Sequence, residues 1–80
     1  EPIVMSRQEH HTYKIIEITG TSGESIENAT QSAIARASQS LKRLRWFEVQ
    51  EIRGAIDGNQ IDEYQVTLKV GFSLEEDENA

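Results

Sequence analysis

The sequence contains no cysteine, one proline and one tryptophan. Without cysteine the chain has no disulfides, thiolate metal ligands or cysteine nucleophiles. No apolar run approaches the roughly 20 residues that a membrane-spanning helix needs. Positive charge is also scarce, because 8 Lys and Arg stand against 14 Asp and Glu and leave a net charge of −6. We therefore expect a small domain that is not a membrane protein.

The chain is short for an independently stable domain. Its 80 residues form one domain at most. A chain of this size buries only roughly 60–65% of the surface that its unfolded form exposes. Since neither a disulfide nor an evident metal cage is present, we expect association with further copies to supply the missing stability.

Both ends of the chain lack the periodicity of a folded element. We interpret residues 1–11 as a disordered N-terminal extension. Its two adjacent histidines, His10 and His11, are more typical of solvated side chains than of a metal site. The extension shows no secretory signal, so we expect a cytoplasmic protein. Residues 75–78 carry four negative charges and leave −2 on the rest of the chain, which disfavours nucleic-acid binding. We predict a disordered acidic tail at residues 75–80 and a folded domain at residues 12–74.

Hydrophobic patterning predicts three strands. Thr12–Ile18 is rich in β-branched and aromatic residues, which predicts a first strand that Gly20–Gly23 breaks. Trp46–Ile56 predicts a second strand, followed by the strong turn formers of Asp57–Asn59. From Tyr64 to Leu74 every second residue is apolar, which indicates a half-buried antiparallel strand.

One helix is predicted between the first two strands. Small and apolar residues recur at steps of three and four from Ile26 to Leu44, about 18 residues. Ser25 is the candidate N-cap, and Thr21 and Glu24 have capping-box spacing. The predicted C-terminal end, where the helix dipole favours positive charge, carries Lys42, Arg43 and Arg45. The order β-α-β-β predicts an α+β fold in which one helix covers one face of a three-stranded antiparallel sheet.

The second strand changes phase along its length. Phe47 and Val49 share one phase, whereas Ile52 and Ile56 share the other. A β-bulge near Gln50 and Glu51 reconciles the two phases.

The single tryptophan is the main functional clue. If Phe47 and Val49 face the helix, Trp46 faces away from it, on the same uncovered side as Gln65. An exposed tryptophan implies a partner, either a neighbouring subunit whose interface it fills or a flat π-rich ligand. The carboxamide of Gln65 suits an imide-like edge. Arg45 suits either a phosphate group or a helix C-terminus.

Three sequence runs carry a resemblance to a known family. The runs Tyr13–Ser22, Leu44–Val49 and Tyr64–Phe72 are not generic strand patterns, and they strongly resemble dodecin, in particular its bacterial branch. The resemblance spans Thr12–Leu74. It implies a β-α-β-β subunit that assembles into a hollow homododecamer and binds flavins.

The resemblance also implies roles for three residues. Trp46 matches the stacking aromatic, with flavin pairs held between tryptophans of symmetry-related subunits. Gln65 matches the glutamine that hydrogen-bonds the flavin pyrimidine edge, and Arg45 matches a position that reaches the FMN phosphate. The cofactor implied is FMN, with riboflavin and FAD as further candidates. The function implied is flavin storage and photoprotective sequestration without catalysis.

Other functions remain open at this point. A coenzyme A-binding or purely structural shell is the main alternative, and a yellow colour would argue against it. An RNA-binding module is disfavoured by the acidic balance and by the expected lack of a second exposed aromatic beside Trp46. A flavin-dependent enzyme is disfavoured because the sequence offers no catalytic set, and because tryptophans would cover both faces of the flavin pair.

Overall fold

The computed structural model describes residues 11–74, which form a three-stranded antiparallel sheet and one helix. The elements are β1 (Tyr13–Ser22), α1 (Ile26–Ala37), β2 (Leu44–Asp57) and β3 (Gln60–Ser73). The strand order is β1-β3-β2, so β3 is central. This confirms the predicted β-α-β-β fold. The predicted N-terminal extension, apart from His11, and the predicted acidic tail lie outside the described residues.

The core lies between the inner side of β3 and α1. Val66, Leu68 and Val70 are at most 1% exposed, and burial of each stabilises the fold by roughly 1.5–3 kcal/mol. The helix meets them with Ala29 and Ala33, whose small side chains allow close approach. The predicted alternation therefore holds at the centre of β3. It fails at the strand end, where Ser73 is buried and Leu74 is exposed.

The helix begins where the sequence predicts and ends earlier. The Ser25 hydroxyl accepts a hydrogen bond from the Asn28 backbone N–H at 2.9 Å, as an N-cap does. In place of the Thr21–Glu24 capping box, the hydroxyl of Ser22 accepts the backbone N–H groups of Glu24 and Ser25.

The prediction of a helix extending to Leu44 was wrong. The helix stops at Ala37, where the Ser38 hydroxyl donates to the Ala35 carbonyl at 2.7 Å and the backbone N–H groups of Gln39 and Ser40 donate three residues back. Arg43 then adopts a left-handed φ of 61° and turns the chain into β2. The basic residue in the last helical turn is Arg36. Three residues predicted there lie instead in the connection or in β2: Lys42, Arg43 and Arg45.

The predicted break at Gly20 is also wrong, because β1 continues to Ser22. Gly20 lies directly under the helix. A Cβ atom at this position would overlap the Ala29 carbonyl oxygen and come within 2.8 Å of the Ala33 Cβ. The glycine therefore serves the packing of α1 on β1 and is not part of a turn.

The predicted bulge and turn are both present in the hairpin of β2 and β3. The register shifts between Val49 and Glu51, which leaves Gln50 without a partner and places Ile52 opposite Val66, on the core side. In the turn after Asp57, Gly58 and Asn59 have φ angles of 61° and 69°. Two successive left-handed residues are typical of a type I′ hairpin turn.

No helix within residues 11–74 is long and apolar enough to cross a bilayer.

We expect Gly20→Ala to lower the free energy of unfolding by about 1–3 kcal/mol, because the added methyl group forces the helix away from β1. Gly23→Ala is the matched control, since a Cβ there meets only the Asp62 carbonyl oxygen at 3.9 Å. Urea denaturation of both variants measures the effect. Equal stability of the two variants would contradict this account of Gly20.

Candidate functional site

The candidate site lies on the sheet face that α1 leaves uncovered. In the β2–β3 pairing, Phe47 lies opposite Val70 and therefore faces the core, whereas Trp46 lies opposite Gly71 and faces the other way. Trp46 is 42% exposed. The structure thus places the indole on the side of the sheet that the alternation predicts, and not beneath the helix of its own chain.

The indole of Trp46 packs against the backbone of Gly71. A Cβ on Gly71 would come within 2.6 Å of three adjacent ring atoms of Trp46, Cζ2, Cε2 and Cη2. Three neighbouring ring atoms at similar distances show that the six-membered ring presents its face to the glycine. One face of the indole therefore rests on the sheet, while the partial exposure of the ring leaves area open on the other side.

Tyr13 holds the indole from the side. The two rings are 5.0 Å apart between centroids, and their planes meet at 73° in an edge-to-face arrangement, which is a favourable geometry for aromatic pairs. Tyr13 is itself 43% exposed. The expectation that no second exposed aromatic accompanies Trp46 is therefore wrong. The sequence does not show that Tyr13 lies near Trp46, because β1 and β2 are brought together only by their common neighbour β3.

Gln65 lies on the same face but at a distance from Trp46. It is paired with Thr21 on β1 and Arg53 on β2. It lies six positions before Gly71 along β3, which is about 20 Å at roughly 3.3 Å per residue. A single chain therefore does not bring Trp46 and Gln65 to the same ligand ring.

The Gln65 carboxamide is hydrogen-bonded at both ends. Its Oε1 accepts from Arg53 Nε at 2.7 Å, and its Nε2 donates to Glu63 Oε2 at 2.9 Å. Sequence reasoning missed both neighbours. The alternation of β3 places Glu63 beside Gln65, but Arg53 reaches this face only because the bulge at Gln50 reverses the phase of β2.

Arg45 lies next to Trp46 at an irregular point of β2. The β2–β3 register shifts between Leu44 and Trp46, so that Arg45 falls at the shift and has no partner on β3. Its side chain is exposed. It contributes to an open groove of about 190 Å³ at the helix side of the sheet end, which is also lined by Ile34, Leu44, Trp46, Phe47 and Val70. Of its two predicted settings, the helix C-terminus is therefore wrong. The other expectation, a phosphate ligand, stays a prediction.

The uncovered face carries more negative than positive charge. Among residues with a partner in the sheet, this face carries two cations, Lys69 and Arg53, and four carboxylates, Glu17, Glu48, Glu51 and Glu63. Arg45, at the register shift, is not among them. Although Tyr13 and Trp46 together could stack on bases, this charge balance still disfavours a nucleic-acid backbone. Within residues 11–74 no three His, Asp or Glu side chains lie close enough together to hold a metal ion.

Comparison with known proteins identifies the family. The family model described as Dodecin matches residues 12–75, which is most of the chain. The chain belongs to the dodecin family. The resemblance found in the sequence is thereby confirmed.

Individual dodecins match over nearly their full length. The chain is 56% identical to the dodecin of Thermus thermophilus over 64 residues, which cover 80% of this chain and 93% of that protein. The solved structure of Streptomyces coelicolor dodecin superposes with a TM-score of 0.80 at 48% identity, covering 84% of this chain and 96% of that one. The crystal structure of calcium dodecin from Mycobacterium tuberculosis gives a TM-score of 0.71 at 36% identity, covering 82% and 94%.

We expect Gly71→Ala to displace the indole from the sheet, because the new methyl group occupies the position of the ring. The near-UV circular dichroism of the Trp46–Tyr13 pair should fall, and acrylamide should quench Trp46 fluorescence more strongly. Gly23→Ala, remote from both rings, is the control. An unchanged near-UV spectrum in Gly71→Ala would show that Gly71 does not support the ring.

Proposed function

We propose that this dodecin binds FMN without catalysing a reaction, and that it stores and photoprotects the flavin in a homododecameric shell. The observation that carries the proposal is an indole held with one face on Gly71 and one side open. A planar ring stacked on such a surface gains roughly 0.5–1.5 kcal/mol per aromatic pair beyond the burial of its area.

The proposal requires more than one chain. Stacking on Trp46 and hydrogen bonding to Gln65 take place about 20 Å apart along β3 in one chain, farther than the isoalloxazine ring system extends. A flavin that uses both residues therefore takes them from different copies. We propose that tryptophans of symmetry-related subunits enclose a pair of flavins, with each pyrimidine edge on a glutamine.

Arg45 favours FMN over riboflavin in this proposal. Arg45 is exposed and directly precedes Trp46 in β2. A planar guanidinium matches a phosphate with two parallel hydrogen bonds. Riboflavin has no phosphate for Arg45 to hold, so we expect the charge-reversing variant Arg45→Glu to weaken FMN binding more than riboflavin binding.

Sequestration follows from the stacking geometry. A bound flavin would be held against the electron-rich indole of Trp46, which would quench its excited state by reversible electron transfer without net oxidation or reduction. This cycle competes with the reactions by which excited flavin causes damage. Since indoles would cover the outer faces of the flavin pair, no substrate would reach the isoalloxazine, and we propose no enzymatic activity.

We expect Trp46→Ala to raise the Kd for FMN at least about tenfold, because it removes both the stacking and the buried ring area. FMN fluorescence in the mixture should then stay unquenched. Titration of FMN fluorescence measures both quantities. Ile15→Val, a mild change at an exposed residue opposite Gly71, is the control. A Trp46→Ala titration identical to that of the unaltered protein would refute the site.

Native mass spectrometry of protein purified without added ligand tests assembly and ligand together. We expect a closed particle of twelve chains with FMN retained, and a yellow solution. A colourless particle that retains coenzyme A would support the alternative shell function. A stable monomer would contradict the proposal as a whole.

The same native mass spectrum would also reveal bound calcium. One relative is a calcium dodecin with its own calcium-binding site. Within the described part of this chain no three acidic or histidine side chains cluster.

A further inference from the structure

The side chains around Gln65 carry an inference about ligand selection, which rests on the proposed function. Gln65 is half-buried, with Arg53 on one side of its carboxamide and Glu63 on the other. Glu63 lies two residues before Gln65 on the same face of β3, and Arg53 lies directly opposite Gln65 on β2. The three side chains therefore form a short row across the two strands.

The charges of this row fix the orientation of the carboxamide. The oxygen faces a guanidinium that can only donate, and the amide nitrogen faces a carboxylate that can only accept when ionised. Rotation of the carboxamide by 180° would set oxygen against carboxylate and N–H against guanidinium, which loses both hydrogen bonds at once. Both bonds involve a charged partner and are stronger than neutral ones. One orientation is therefore strongly favoured.

The carboxamide retains unused hydrogen-bonding capacity. A glutamine carbonyl oxygen has two lone pairs and its nitrogen has two protons, and the row uses one of each. One acceptor and one donor remain side by side in a fixed order. A ring edge that carries an N–H next to a carbonyl is complementary to them, as the N3–H and adjacent carbonyls of an isoalloxazine are.

We propose that Arg53 and Glu63 are positioning residues that hold Gln65 so that it selects planar ligands with an imide edge. They act through Gln65 and do not themselves contact the ring. Their effect is on the preference between ligands that have the N–H and ligands that lack it. A role limited to folding would not change this preference.

The test compares FMN with its N3-methyl derivative, which lacks the N–H, by fluorescence titration of the assembled protein. We expect Glu63→Gln and Arg53→Met each to lower the preference for FMN by about 3- to 10-fold, the effect of losing or loosening one hydrogen bond. Arg53→Lys, which keeps a cationic donor, should restore part of the preference. Glu48→Gln is the matched control, because it makes the same change on the same face opposite Lys69, away from Gln65.

A double-variant comparison separates positioning from direct contact. In a Gln65→Ala background, neither Glu63→Gln nor Arg53→Met should change the preference further, because the group that they orient is gone. A further loss in that background would show that they contact the ligand and would overturn the proposal. The proposal would also be overturned if the unaltered protein prefers FMN over N3-methyl FMN and both single variants keep the same preference. That result would not contradict flavin binding itself.

The orientation can also be tested without any ligand. If the unaltered protein binds neither flavin, the proposed function fails, and crystal structures of ligand-free variants then decide the orientation claim. We expect the Gln65 carboxamide to rotate away from its present position when Arg53→Met and Glu63→Gln are combined. A carboxamide that keeps its position in the double variant would overturn the claim.

Discussion

The pleat of β3 is the constraint on which the rest of the structure depends. Because successive side chains point to opposite faces, one strand supplies Val66, Leu68 and Val70 to the core and Gln65 and Gly71 to the uncovered face. Hydrogen bonding to a strand on each side fixes this register. A shift of one residue would exchange the two faces and expose the core, so the stability of the core also keeps the candidate site on the outer side.

The bulge in β2 adapts the second strand to this constraint. Before Gln50, the residues that face the core are Phe47 and Val49; after it, the residue that does so is Ile52. The same irregularity turns Arg53 outward to Gln65. In a regular strand Ile52 would lie on the outer face and Arg53 on the core side. One unpaired residue therefore decides which side chains of the second half of β2 face the core side and which join the polar row of the outer face.

The single chain leaves apolar area open at both ends of the sheet. Near one end the exposed residues are Tyr13, Ile15 and Trp46, and towards the hairpin turn they are Ile52, Ile56 and Ile61. A small domain without disulfides gains stability if such areas are covered. In the proposed shell, neighbouring copies cover them and also bring tryptophans and glutamines of different chains to one ligand. Assembly and ligand binding would then depend on the same contacts.

The sequence by itself determined the order of elements, the N-cap at Ser25, the hairpin turn, the bulge and the outward direction of Trp46, because each follows from local periodicity or from the chemistry of a few adjacent residues. It overextended the helix, since apolar spacing continues past the point where Ser38 competes for backbone hydrogen bonds. Only the tertiary structure showed why Gly20 and Gly71 are glycines, and that Tyr13 and Arg53 border the predicted site residues. Those relations join residues far apart in the chain, and they exist only once strand pairing and the approach of the helix have set the distances.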